Sequence, residues 1–306
     1  MNTEQVAQAI ASTLELRIIS VLGTKVQLRW TPLPSRIGNY TLFYQELNNS
    51  KTQKSIKLGE KVEDYLVGKK SSEILKRGKI YSFWVTFNGL KSNTVSTTIL
   101  HYPVKWGIVK GYSGDRGIDI ESAGACNKNR GGITCLDYLN KKNKIKKNTT
   151  MKELIEHNKN KIEGTPHLTQ VFACAPGKIV QVQISEKTIV PKGGTGSWYF
   201  VTQELEFPVY YKEKAYKFVW YMHLHNCKQG LKDHKIVNVG AQVGTNPGNL
   251  RIGYNLVAGY HPYLSEHLHF GIAEKKERYP NLEYNEACQL LGVKPYKKGE
   301  EQVISR

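Results

Sequence analysis

His267 and His269 stand two residues apart in the segment His267-Leu268-His269-Phe270, and Tyr221-Met222-His223-Leu224 supplies another imidazole upstream. Side chains alternate along a strand, so His267 and His269 share one face. Converging imidazoles suit two tasks, holding a divalent metal and moving protons near neutral pH during a hydrolysis. An acidic partner precedes them in Gly114-Asp115-Arg116-Gly117-Ile118-Asp119-Ile120, a glycine-punctuated turn that runs into an apolar strand start. Asp119 can then face the same site. A lone His-x-His is more often a pair of surface or satisfied histidines, so the weight rests on the three segments occurring together.

Taken in order, Gly-Ile-Asp-Ile, Tyr-Met-His-Leu and His-Leu-His-Phe resemble the three signatures of the lysostaphin/LytM-type zinc endopeptidases, which cut peptidoglycan cross-bridges. In that family the first signature reads HxGxD; its His and Asp bind zinc together with the second His of HxH. The resemblance implies Asp119 and His269 as zinc ligands, His223 and His267 as the catalytic pair, and one Zn²⁺ per chain. Asp115 stands where the family has its first zinc-binding His. A carboxylate is itself a zinc ligand through oxygen at about 2.0–2.2 Å, so Asp115 is carried over as the remaining metal residue. It reaches less far than an imidazole, and two carboxylates would neutralise the ion and weaken it as a Lewis acid. Slower hydrolysis, or none, is the expectation.

Connecting pieces extend the resemblance. Val171-Phe172-Ala173 through Pro176-Gly177-Lys178-Ile179-Val180 is similar to a hairpin of the family, and Val239 to Gly244 to its glycine-rich connection. His225, His261 and His167 lie near the motifs in sequence, but nothing in their spacing singles one out as a ligand.

The elements that position these residues are strands. In the N-terminal third, Val26, Leu28 and Trp30 alternate, then Tyr40, Leu42 and Tyr44, then Tyr81, Phe83, Val85 and Phe87. Period two in short runs separated by turn residues predicts an antiparallel sandwich. The segment resembles a fibronectin type III domain, which implies Trp30 as the core tryptophan and Tyr81 as the corner tyrosine. The chain is thus expected to be mainly β. A fibronectin type III-like β-sandwich over 14–102 precedes an antiparallel β-sheet peptidase domain of the lysostaphin/LytM type over 103–290, and 291–306 reads as a basic C-terminal tail. An insertion at 124–170 carries lysine runs and a helix announced by the capping box Thr150 to Glu153.

Net charge is +18, from 44 basic and 26 acidic residues. Such a surface concentrates polyanions, among them peptidoglycan carboxylates and wall phosphates. Nucleic acid would be attracted equally, but no nucleic-acid motif accompanies the charge, and none is predicted as a partner. The five cysteines form no CxxC pair, which argues against a zinc-cysteine site; Cys126 and Cys135 bracket a glycine-rich loop and could be bridged in oxidising surroundings, with reduced thiols the default for a protein assembled in cytoplasm. No stretch is long and apolar enough to span a bilayer, and the first residues lack a basic region followed by an apolar core. A wall enzyme without a leader is expected to travel in a virion. The functional expectation is a bacteriophage tail or baseplate protein, made in host cytoplasm and acting in the host wall, whose zinc endopeptidase helps penetration. Its sandwich would contact other tail proteins, and self-association stays open. The alternative is a catalytically inactive, structural or wall-binding tail protein that keeps the peptidase fold, with Asp115 as its chief evidence.

Overall fold

The computed structural model describes residues 13–33, 38–110, 116–122, 169–190, 194–224, 226–246, 268–276, 282–296 and 302–306. The expected insertion helix after Thr150 lies outside the described residues. The fold is mainly β, with antiparallel sheets and, among the described residues, one short α-helix. Two compact units share the chain. One gathers Met1–Leu100, Leu205–Lys217 and Gln289–Gly292, and the other His101–Glu204, Phe218–Cys288 and Val293–Arg306.

Alternating apolar side chains build the first unit. Its strands are β1 (Leu16–Leu22), β2 (Lys25–Trp30), β3 (Tyr40–Glu46), β4 (Lys54–Leu58), β5 (Asp64–Val67), β6 (Lys79–Phe87), β7 (Leu90–Lys91) and β8 (Val95–Ile99). β1, β2 and β5 form one sheet; β4, β3 and β6 form the other, with β7 and β8 both pairing β6. That strand order in two antiparallel sheets is a fibronectin type III-like sandwich. All ten residues of the three alternating runs are buried, and each contributes about 1.5–3 kcal/mol if fully withdrawn from water. Trp30 sits in this core, its ring 5.6 Å from that of Tyr40. The hydroxyl of Tyr81 accepts the backbone N–H of Lys76 at 3.0 Å, five residues upstream, as a corner tyrosine does.

Residues 205–217 complete this unit from far along the chain. The hydroxyls of Thr97 and Thr98 donate to the carbonyls of Pro208 (2.8 Å) and Phe207 (2.6 Å). The backbone N–H of Lys212 donates to Ser20 Oγ at 2.9 Å, and that of Glu213 to the Ile19 carbonyl at 2.8 Å.

The second unit is built on a larger sheet. Its strands are β9 (Trp106–Lys110), β10 (Ile118–Ser122), β11 (Thr169–Phe172), β12 (Gly177–Val190), β13 (Gly194–Tyr211), β14 (Lys214–Leu224), β15 (Asn226–Cys227), β16 (Ile236–Val237), β17 (Gln242–Asn246), β18 (Leu268–Ala273) and β19 (Gln302–Ser305). The tips of β13 and β14 belong to the first unit. Eight strands run in the order β16-β12-β13-β14-β18-β10-β9-β19, and β11-β17-β15 form a separate sheet. A helix, α1 (Tyr284–Leu291), follows β18. β19 lies in the segment read as a tail, hydrogen-bonded along β9.

The hairpin anticipated over Val171 to Val180 does not form. β11 pairs with β17 in the small sheet, whereas β12 starts at Gly177 in the large one. Between them the backbone is held by side chains: Cys174 N–H donates to the Tyr221 hydroxyl at 2.9 Å, and the Ala175 carbonyl accepts Gln203 Nε2 at 2.7 Å. Pro176 has no N–H to offer a ladder, so the chain changes sheets there.

Candidate active site

β18 reads Leu-His-Phe-Gly-Ile-Ala, and every one of its residues is buried. A strand with β14 on one side and β10 on the other satisfies its backbone through both ladders, so apolar residues can fill both faces. His269 is polar within that run, and burying it is costly without a partner. Register supplies the partner. Asp119 of β10 pairs directly with His269, and residues opposite one another in an antiparallel ladder share a face. His269 Nδ1 lies 2.6 Å from Asp119 Oδ1, with both residues 7% exposed.

Gly117 shapes the approach to this pair. Its φ of +92° belongs to the region that favours glycine, and its N–H donates to the Leu282 carbonyl at 3.0 Å. A methyl there would meet the Phe270 carbonyl oxygen at 2.7 Å and His269 Nε2 at 3.1 Å. The turn thus brings main chain against the imidazole where no side chain fits. Tyr284, at the start of α1, borders the same region: its hydroxyl accepts the Tyr296 N–H at 2.6 Å. Burial pushes its phenol well above the ordinary value, and the nearby Cys288 and Asp119 add to that.

On the other side of β18, Met222 of β14 pairs with His269 and is 1% exposed. Met222 therefore shares the face of Asp119 and His269, and His223 is the next residue along, beyond the last paired position. His223 is described by its backbone alone. Asp115, His267, His225, His261 and His167 lie outside the described residues. Of the five residues singled out by sequence, then, Asp119 and His269 are brought together. Met222 was missed because a methionine in the variable position of a motif carries no chemical signal.

Asp119 and His269 suit a metal as adjacent donors. Their facing atoms, an imidazole nitrogen and a carboxylate oxygen 2.6 Å apart, are of the kinds that bind zinc. Among the described residues no group of three His, Cys, Asp or Glu side chains gathers as a metal site.

No protein-family model matches the chain, and no curated protein matches it. Similar solved structures include Csd3 of Helicobacter pylori from an orthorhombic crystal, at 12% identity over 86% of this chain and 70% of that one, with a TM-score of 0.28. A two-domain fibronectin type III segment of chicken tenascin has 10% identity over 69% of this chain and 98% of that one, with a TM-score of 0.27. A redesigned β-sandwich protein has 14% identity over 27% of this chain and 80% of that one, with a TM-score of 0.23. These scores fall below the level at which a common fold would follow.

Proposed function

We propose that the second unit is a zinc endopeptidase of the lysostaphin/LytM type that hydrolyses peptidoglycan cross-bridge peptides, carried by a bacteriophage tail or baseplate protein whose sandwich docks it to the particle. The observation that supports this reading most is the buried Asp119–His269 pair, set in register on neighbouring strands and drawn from two of the three family-like motifs. Asp119 and His269 would hold the ion with Asp115. Zinc, when bound, supplies an activated water and charge stabilisation at the scissile carbonyl. His267 would orient the water, donate to the developing oxyanion and return a proton to the leaving amine; the resemblance gives His223 a share in that role, one residue past the last ladder pair of β14 at Met222.

A second reading keeps the fold without the reaction, as a structural or wall-binding tail protein; Asp115 in place of the family's His favours it. Zinc per polypeptide, measured by elemental mass spectrometry after exchange into metal-free buffer, separates the two. Near-stoichiometric zinc that disappears in His269→Ala and persists in His267→Ala, with sacculus digestion lost in both, is the expected pattern. Asp115→His should then raise digestion. Absence of zinc from the unaltered protein would remove the peptidase reading and leave the structural one.

A further inference from the structure

The outer face of the second sandwich sheet carries an ordered arrangement that the peptidase reading does not use. Ladder pairs align Lys57, Thr41, Thr86 and Lys91 in one row across β4, β3, β6 and β7. The adjacent row holds Ser55, Phe43 and Trp84. Phe43 and Trp84 are half-buried, their rings stacked at 5.5 Å with planes 4° apart, while Lys57, Lys91 and Ser55 are exposed. Lys91 Nζ stands 4.9 Å from the centroid of the Trp84 ring. No carboxylate occupies either row.

We propose that this face binds an acidic polysaccharide, with sugar rings packing on Phe43 and Trp84 and sugar carboxylates meeting Lys57 and Lys91. Charge complementarity selects the sign: two exposed cations flank the aromatic pair with no acidic residue among them to neutralise the field. The aromatic and hydroxyl side chains select the class. A pyranose presents C–H groups to an apolar surface and hydroxyls at its rim, and Thr41, Thr86 and Ser55 both donate and accept hydrogen bonds beside the rings. A single-stranded nucleic acid could also use the lysines and the aromatic pair, but it would bring phosphates rather than carboxylates, and the oligothymidylate surface below separates the two. An acidic peptide would use the lysines but not the aromatic pair. The assignment holds whether or not the second unit is a peptidase.

The test uses the full chain on biosensor surfaces carrying polygalacturonate, neutral dextran, poly-glutamate or a single-stranded oligothymidylate. Trp84→Ala and Lys57→Gln/Lys91→Gln should each weaken polygalacturonate binding by about tenfold, as expected for an aromatic anchor and a charge pair at the centre of a contact. Lys25→Gln/Lys69→Gln removes two exposed lysines at the other sheet of the same sandwich and should change it less than about twofold, because packed sheets stand about 10 Å apart and screening confines a surface charge's influence to about a Debye length. Dextran should not bind, and the loss on removing Trp84 should be confined to polygalacturonate. Equal losses in the two double variants would overturn the site and leave only general polycation behaviour. Binding to poly-glutamate or oligothymidylate that also falls about tenfold without Trp84 would overturn the sugar assignment. Because Lys57 and Lys91 are exposed, their double variant keeps the test valid even if Trp84→Ala unfolds.

Discussion

A methyl group built on Gly23 would lie 2.7 Å from the Cα of Gly292, and one built on Gly292 would lie 2.5 Å from the Cα of Gly23. Both residues have positive φ, +66° and +71°. The Gly23 N–H also donates to the Leu290 carbonyl at 3.0 Å, so a turn of the sandwich and the end of α1 meet backbone to backbone. Gly23→Ala and Gly292→Ala should each destabilise the protein by about 1–3 kcal/mol through strain and displaced main chain. Urea unfolding followed by tryptophan fluorescence measures this, and an unchanged midpoint in either variant would contradict the close approach.

Gly117 differs in what it protects. Alanine there brings a methyl to 2.7 Å from the Phe270 carbonyl oxygen and 3.1 Å from His269 Nε2, so β10 and β18 must shift just where Asp119 meets His269. If the proposed zinc site is present, Gly117→Ala should lower its affinity by about tenfold or more, the scale seen when groups that orient metal ligands are disturbed. Competition with a chromogenic chelator reads this directly.

Tyr221 anchors the bend between the two sheets of the second unit. Its hydroxyl accepts Cys174 N–H at 2.9 Å and donates to Gln203 Oε1 at 2.7 Å, all in a fully buried setting. Tyr221→Phe leaves a buried donor and a buried acceptor without that oxygen and should cost about 1–3 kcal/mol, despite conserving the ring. A shift in the urea midpoint at constant slope would confirm it.

Burial pushes the Cys174 thiol up to about 12 and the Cys288 thiol up to about 11, from an ordinary 9.0. The folded state thus keeps protons that the unfolded chain releases near pH 9. Their contribution to stability is whole below pH 9 and is lost as pH climbs towards 11 and 12. The urea midpoint should fall across that window. At pH 8 iodoacetamide should leave both residues unlabelled in the native protein, since the thiolate is the reactive form.

The sandwich was legible because side-chain identity carries its pattern: Val26, Leu28 and Trp30, or Tyr81 through Phe87, are apolar at period two and all are buried. Asp119 and His269 were legible for the same reason, as ionisable residues inside apolar runs. What the sequence concealed depends on main-chain groups that every residue carries. Lys212 and Glu213 join the sandwich through their N–H groups, and Pro208 and Phe207 through their carbonyls. No residue type advertises that role. Register is similarly silent: the motif Tyr-Met-His-Leu draws attention to His223, while the ladder sets Met222 opposite His269.

The return of residues 205–217 to the sandwich has a consequence for synthesis. Ser20 and the amide it receives from Lys212 are 192 positions apart, and Gly292 comes later still. At about 5–20 residues per second, the first hundred residues emerge from the ribosome about 10–40 s before their last partners exist. During that interval the hydroxyls of Thr97 and Thr98 and the β1 edge lack the partners that residues 205–217 supply. The nascent chain therefore passes through an interval in which this edge is open to misassociation, and it closes when residues 205–217 arrive.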